Sequence, residues 1–139
     1  MTPTSSRPSA AGIHPLHGLL LSGSFPLFLG AALSDYAYAT SYLVQWSTFA
    51  SWLIAGALVF TGFAMLCGLI GLFRARHRAP YVLYVVLLLV TWVLGFVNAL
   101  IHARDVWAMM PTGFILSIVV AVLACAATLL GFSRLGGRS

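Results

Sequence analysis

Four long apolar stretches fill most of the chain: Leu16–Leu33, Phe49–Phe73, Tyr81–Ile101 and Thr112–Phe132. A helix crosses a hydrocarbon core of about 30 Å with about 20 apolar residues. Each stretch meets or approaches that length. The expectation is an integral membrane protein with almost nothing outside the bilayer.

The charge pattern agrees. Of 139 residues, 61% are hydrophobic and 6% charged, against roughly 25% charged in an average soluble domain. A soluble core could not hide so much apolar surface in so short a chain. Lysine and glutamate are absent, and the net charge of +5 comes from arginine alone. Nucleic-acid binding would need a basic, water-facing surface. Here the arginines stand at the ends of apolar segments, where they orient a membrane protein instead. Cys67 and Cys125 both fall inside apolar segments, so they form no secreted disulfide framework. They share a depth and would touch if helices two and four were neighbours. Arg7, the run from Leu16 and Ala37-Tyr38-Ala39 together have the layout of a cleavable signal. The run exceeds the usual apolar length of about 7–15 residues and Pro26 interrupts it, so it reads as the first membrane helix.

The chain divides into a disordered tail over residues 1–13, a four-helix transmembrane domain over residues 14–134 and a short C-terminal tail over residues 135–139. Helices are expected over about 15–38, 47–73, 80–102 and 111–133. His14-Pro15, Pro80 and Pro111-Thr112 open three of them, because proline suits the first helical position. Pro26 should kink the first helix and free a carbonyl near Ser22. Connections this short make consecutive helices antiparallel neighbours. The fold class is therefore all-α, a transmembrane up-and-down four-helix bundle. Arg7, Arg74, Arg76, Arg78, Arg134 and Arg138 fall on one side and Arg104 on the other. The positive-inside rule then places both termini in the cytoplasm. Tyr36, Tyr38, Tyr42, Trp46 and Trp107 form an aromatic belt at the outer interface. Small residues four apart, such as Ala64–Gly68, Gly95–Ala99 and Ala121–Cys125, supply helix contacts.

Polar residues that could carry chemistry gather at the outer ends of helices one and three. Asn98 and His102 are four apart and share a helix face. Asp35 ends helix one at a similar depth, and Arg104 and Asp105 follow His102 in the loop. These five form a candidate outer cluster, with a charge-assisted network as its functional reading and headgroup-level helix capping as its structural one. A second candidate is the inner pair His14 and His17, three apart at the start of helix one. No metal site is expected, since a metal needs further ligands and the inner side offers only His77. No cofactor is expected within one protomer either. Haem b would need two histidines at one level, whereas His17 and His102 are separated by most of the membrane; a pair drawn from two protomers is the arrangement left open. Ser34, Asp35 and His102 can be written as a triad, but no strand–turn–helix supports a nucleophile elbow. Gly68-Leu69-Ile70-Gly71 has no P-loop lysine.

The motif H-P-x-H at the first helix, Asp35 near its end, S-W-L-I-A-G-A-L (Ser51–Leu58) and G-L-I (Gly68–Ile70) resemble a bacterial membrane family, domain of unknown function 2231. The resemblance is most specific at F-V-N-A-L-I-H-A-R-D-V-W (Phe96–Trp107) and P-T-G-F-I-L-S (Pro111–Ser117). It implies a small four-helix inner-membrane protein and supplies no established activity. Some members of that family stand beside or are fused to redox modules, which implies an electron-transfer setting by association. Where such members carry an acidic residue after G-L-I this chain has Gly71, and where they carry His and Asn early in helix three it has Tyr81–Val86. The inner half of the bundle is thus expected to have lost polar groups.

The expected function is that of an accessory or anchoring subunit of a membrane assembly, with a redox assembly as the specific case, without catalysis of its own. The alternatives are a haem- or quinone-binding electron-transfer subunit and a small oligomeric transporter or channel. The expected partners are the lipid bilayer, another membrane or redox protein, or further copies of the chain.

Overall fold

The computed structural model describes residues 14–135. The expected tail over residues 1–13 lies outside the described residues, as do residues 136–139. Five α-helices follow one another: α1 Pro15–Ser41, α2 Val44–Arg74, α3 Ala79–His102, the single turn α4 Val106–Met109, and α5 Thr112–Leu130, which runs into a π-helical turn Gly131–Leu135. No strand occurs among the described residues. Four segments are long and apolar enough to cross a membrane: Pro15–Ser41, Val44–Arg74, Ala79–His102 and Thr112–Ser133.

Helix ends follow local chemistry. His14 caps α1, its Nδ1 accepting from the Leu16 N–H at 3.2 Å, with Pro15 at the first helical position. The helix runs three residues past Tyr38, because Thr40 and Ser41 stay helical with their hydroxyls donating to carbonyls a turn back. It stops at Tyr42, which sits in the left-handed region at φ 57° and donates its N–H to the Tyr38 carbonyl. The polar connection expected over Ser41–Ser47 thus shrinks to Tyr42 and Leu43. Helix α1 passes through Pro26 unbroken. Hydroxyls gather at the neighbouring Leu21 carbonyl, which accepts from Ser24 at 2.8 Å and from Thr128 at 3.5 Å.

Four helices surround a common axis in the cyclic order α1, α2, α3, α5, with α1 diagonal to α3 and α2 diagonal to α5. That diagonal keeps Cys67 and Cys125 apart; both are free thiols. The buried residues explain the arrangement. Their central stripes fall at 17, 21, 24, 28, 31, 35 and 38 on α1, at 47, 50, 54, 57, 61, 64 and 68 on α2, at 84, 88, 91, 95, 98 and 102 on α3, and at 113, 117, 120, 124 and 127 on α5, with Ala32, Ser34 and Ala121 buried beside them. Every stripe alternates steps of three and four, a seven-residue repeat that keeps one face on the axis and implies a left-handed supercoil.

In register, the stripes build layers, one residue from each helix. Leu21, Ala64, Leu88 and Ala127 form one apolar layer and Phe28, Ala57 and Val120 another. Gly95 completes the second, because a Cβ there would stand 3.1 Å from the Phe28 ring. The polarity is inverted relative to a soluble bundle. Histidine, asparagine, aspartate, serine and threonine are buried, while Leu29, Val59, Phe63, Val93, Val122 and Leu129 face outward. In lipid there is little hydrophobic drive between helices, so close packing of small residues and interhelical hydrogen bonds hold them.

Candidate functional site

Two polar clusters join the diagonal helices α1 and α3 at opposite ends of the bundle. His17 and Asp35 are eighteen residues apart on α1, and so are Tyr84 and His102 on α3. Eighteen residues make five full turns and about 27 Å of rise. Each pair therefore shares one helix face and spans nearly the hydrocarbon thickness.

At the end that carries α4, the outer end in the orientation expected from the arginines, Asp35 is fully buried, and its two oxygens face different partners. Oδ1 lies 2.8 Å from His102 Nε2. Oδ2 accepts from the Ser117 hydroxyl at 2.5 Å. Ser117 Oγ in turn accepts from Asn98 Nδ2 at 2.8 Å. His102 Nδ1 is 2.9 Å from the Asn98 backbone carbonyl. The bonds form a closed ring from Asn98 through Ser117, Asp35 and His102 back to Asn98.

The ring fixes its own protonation pattern. A carbonyl oxygen can only accept, so His102 Nδ1 carries a hydrogen. One further proton must then lie between Nε2 and Oδ1. It makes either an imidazolium facing a carboxylate or a neutral imidazole accepting from a carboxylic acid, and the pair has no net charge in either form. Asp35→Asn discriminates the two. An asparagine can donate through its amide to Nε2 and accept from Ser117, reproducing the neutral form. We predict a loss of about 1 kcal/mol for a neutral pair and about 3 kcal/mol for an ionic one, read from unfolding in detergent.

The short helix α4 packs against α3 and α5 at the same end. Met109, on α4, is fully buried, and Ser47 Oγ donates to its sulfur at 3.5 Å. Gly113 packs between them: a Cβ there would stand 2.9 Å from Met109 Cγ and 3.1 Å from His102 Cε1. The loop expected over Ala103–Met110 is thus partly helical.

Of the five residues expected at the outer end, the structure joins Asp35, Asn98 and His102 and leaves out Arg104 and Asp105. Both are exposed. Beyond His102 the Arg104 N–H bonds the Ile101 carbonyl, and Asp105 opens α4 by accepting from the Ala108 N–H. Both stand on the exposed part of the loop before Met109, where a guanidinium keeps its water. Ser117 is the member that sequence reasoning missed. Ser34 donates to the Gly30 carbonyl, outside the ring. Ser117 and His102 bond different oxygens of Asp35, so no imidazole faces a serine hydroxyl as nucleophilic activation requires.

At the other end His14 and His17 have different partners. His14 is the exposed cap residue with ψ 137°, and its Nδ1 is taken by the Leu16 N–H. His17 is buried with Nε2 2.7 Å from the Tyr84 hydroxyl. Tyr84 supplies the polar partner that helix three was expected to lack, and it rests on Gly68 and Gly131, where a Cβ would meet its ring at 3.0 Å. Among the described residues, no group of three or more His, Cys, Asp or Glu could hold a metal ion. Two apolar grooves mark the lipid-facing surface, one of about 520 Å³ floored by Gly62 beside Trp92, the other of about 500 Å³ between α1 and α5 beside Ala121.

Helices, inverted polarity and paired polar ends define a polytopic four-helix membrane bundle. Residues 13–134 match the family described as predicted membrane protein (DUF2231), and the chain belongs to that family. Comparison with curated proteins and with solved structures gives no match.

Proposed function

We propose that this chain is an accessory or anchoring subunit of a bacterial inner-membrane assembly, without catalysis of its own and with both termini in the cytoplasm. The observation that carries this reading is the closed ring at the outer end. Asp35, His102, Ser117 and the Asn98 amide nitrogen commit their hydrogen bonds to one another. Those groups are bonded within the ring, Asn98 Oδ1 is the one atom of these side chains that is buried without a partner, and Met109 is buried at the same end of the bundle. What the bundle offers a partner is its apolar flank and its loops. The family resemblance favours a redox assembly as that partner, and the arginine distribution favours the orientation.

The tagged chain, extracted from its native membrane in mild detergent, is expected to co-purify with one membrane protein at fixed stoichiometry. That yield should be unchanged in Asp35→Asn. Repeated recovery of the bare chain contradicts the accessory role. Reporter fusions at the two ends should both report the cytoplasm, and opposite signals would overturn the orientation.

A further inference from the structure

We propose that the middle of the bundle is a binding site for one water molecule, held by Thr61, Ser24 and Thr91 in the low-dielectric centre of the membrane. Six serine or threonine side chains are buried among the described residues: Ser24, Ser34, Ser47, Thr61, Thr91 and Ser117. Three donate to their own helix, Ser24 to Leu21 O, Ser34 to Gly30 O and Thr91 to Leu87 O. Two donate to side chains, Ser47 to Met109 and Ser117 to Asp35. Thr61 alone has no hydrogen-bond partner. A helical threonine ordinarily satisfies itself on the carbonyl four residues back, so its hydroxyl is turned away from that default.

The seven-residue register says where it sits. Ser24, Thr61 and Thr91 occupy the same step of their stripes, with Ala124 from α5 as the fourth member. This layer lies between the bulky Leu21–Leu88 and Phe28 layers. Three short hydroxyl side chains and an alanine put less bulk on the axis here than the leucine and phenylalanine layers on either side.

The hydrogens select the occupant. Ser24 and Thr91 have given theirs to backbone carbonyls, so their oxygens offer only lone pairs. Thr61 has a hydrogen to give. The complementary ligand donates twice and accepts once, which is what water does, and three partners are the usual number for a buried water. A monovalent cation would be served by the three oxygens but would leave the Thr61 hydrogen without an acceptor.

The test is magnetisation transfer from water to side-chain protons, recorded on the full chain in nanodiscs of deuterated lipid. A water cross-peak is expected at the Thr61 methyl in wild type and in Thr61→Ser at the corresponding methylene. It should be lost in Thr61→Val, which keeps shape and removes the hydroxyl, while the backbone spectrum stays folded. Exchanging sodium for choline should leave the peak unchanged. Absence of the peak in wild type, its persistence in Thr61→Val, or a sodium-dependent displacement of the Thr61 signals would overturn the assignment.

Discussion

Asp35→Ala is expected to destabilise the bundle by about 3–5 kcal/mol, the cost of removing one partner from a buried polar pair. The substitution leaves His102 Nε2 and the Ser117 hydroxyl facing an alanine methyl, both buried and both previously bonded to the same carboxyl. His102→Ala should cost nearly as much, and the double variant much less than the sum, because one ring is broken in all three. Unfolding in a mixed-micelle titration reads the three values. A coupling energy near zero would mean that the ring does not hold the helices, since residues in one network couple by about 0.5–3 kcal/mol.

Tyr84→Ala is the second large effect, with an expected loss of about 3–5 kcal/mol. Tyr84 is the largest fully buried side chain among the described residues. Its ring fills the space beside Gly68 and Gly131, and its hydroxyl is the partner of His17. Truncation opens a cavity and strands a buried imidazole at once. Tyr84→Phe separates the two contributions by removing only the hydroxyl, for about 1–2 kcal/mol. Equal losses in both variants would place the whole effect in the hydrogen bond and none in the packing.

These predictions rest on parts of the molecule that the sequence revealed unevenly. The four spans were legible because length and near absence of charge decide them, whatever the helices later pack against. Asp35, Asn98 and His102 were legible from depth and a four-residue spacing. Arg104 and Asp105 misled because adjacency along the chain does not carry past a helix end, where the helical face is lost and both side chains are exposed. Ser117 and Tyr84 gave no composition signal: a lone serine in an apolar helix and a tyrosine near a helix start are ordinary. The signal was in the register. His17 to Asp35 and Tyr84 to His102 repeat the same eighteen-residue interval, and polar residues at that interval on two parallel helices face one another twice. Thr61 was hidden for a related reason, because a threonine in a membrane helix ordinarily bonds its own backbone.

The inward polar stripe is tested most directly by nitroxide scanning along α3 from Tyr81 to Leu100 in lipid bilayers, with dissolved oxygen as the collision probe. Oxygen contact should fall to minima at Tyr84, Leu88, Thr91, Gly95 and Asn98 and rise at outward positions such as Val86, Val93 and Val97. A profile without the three-and-four spacing, or one with Thr91 and Asn98 at its maxima, would mean that these residues face lipid and that the polar axis does not exist.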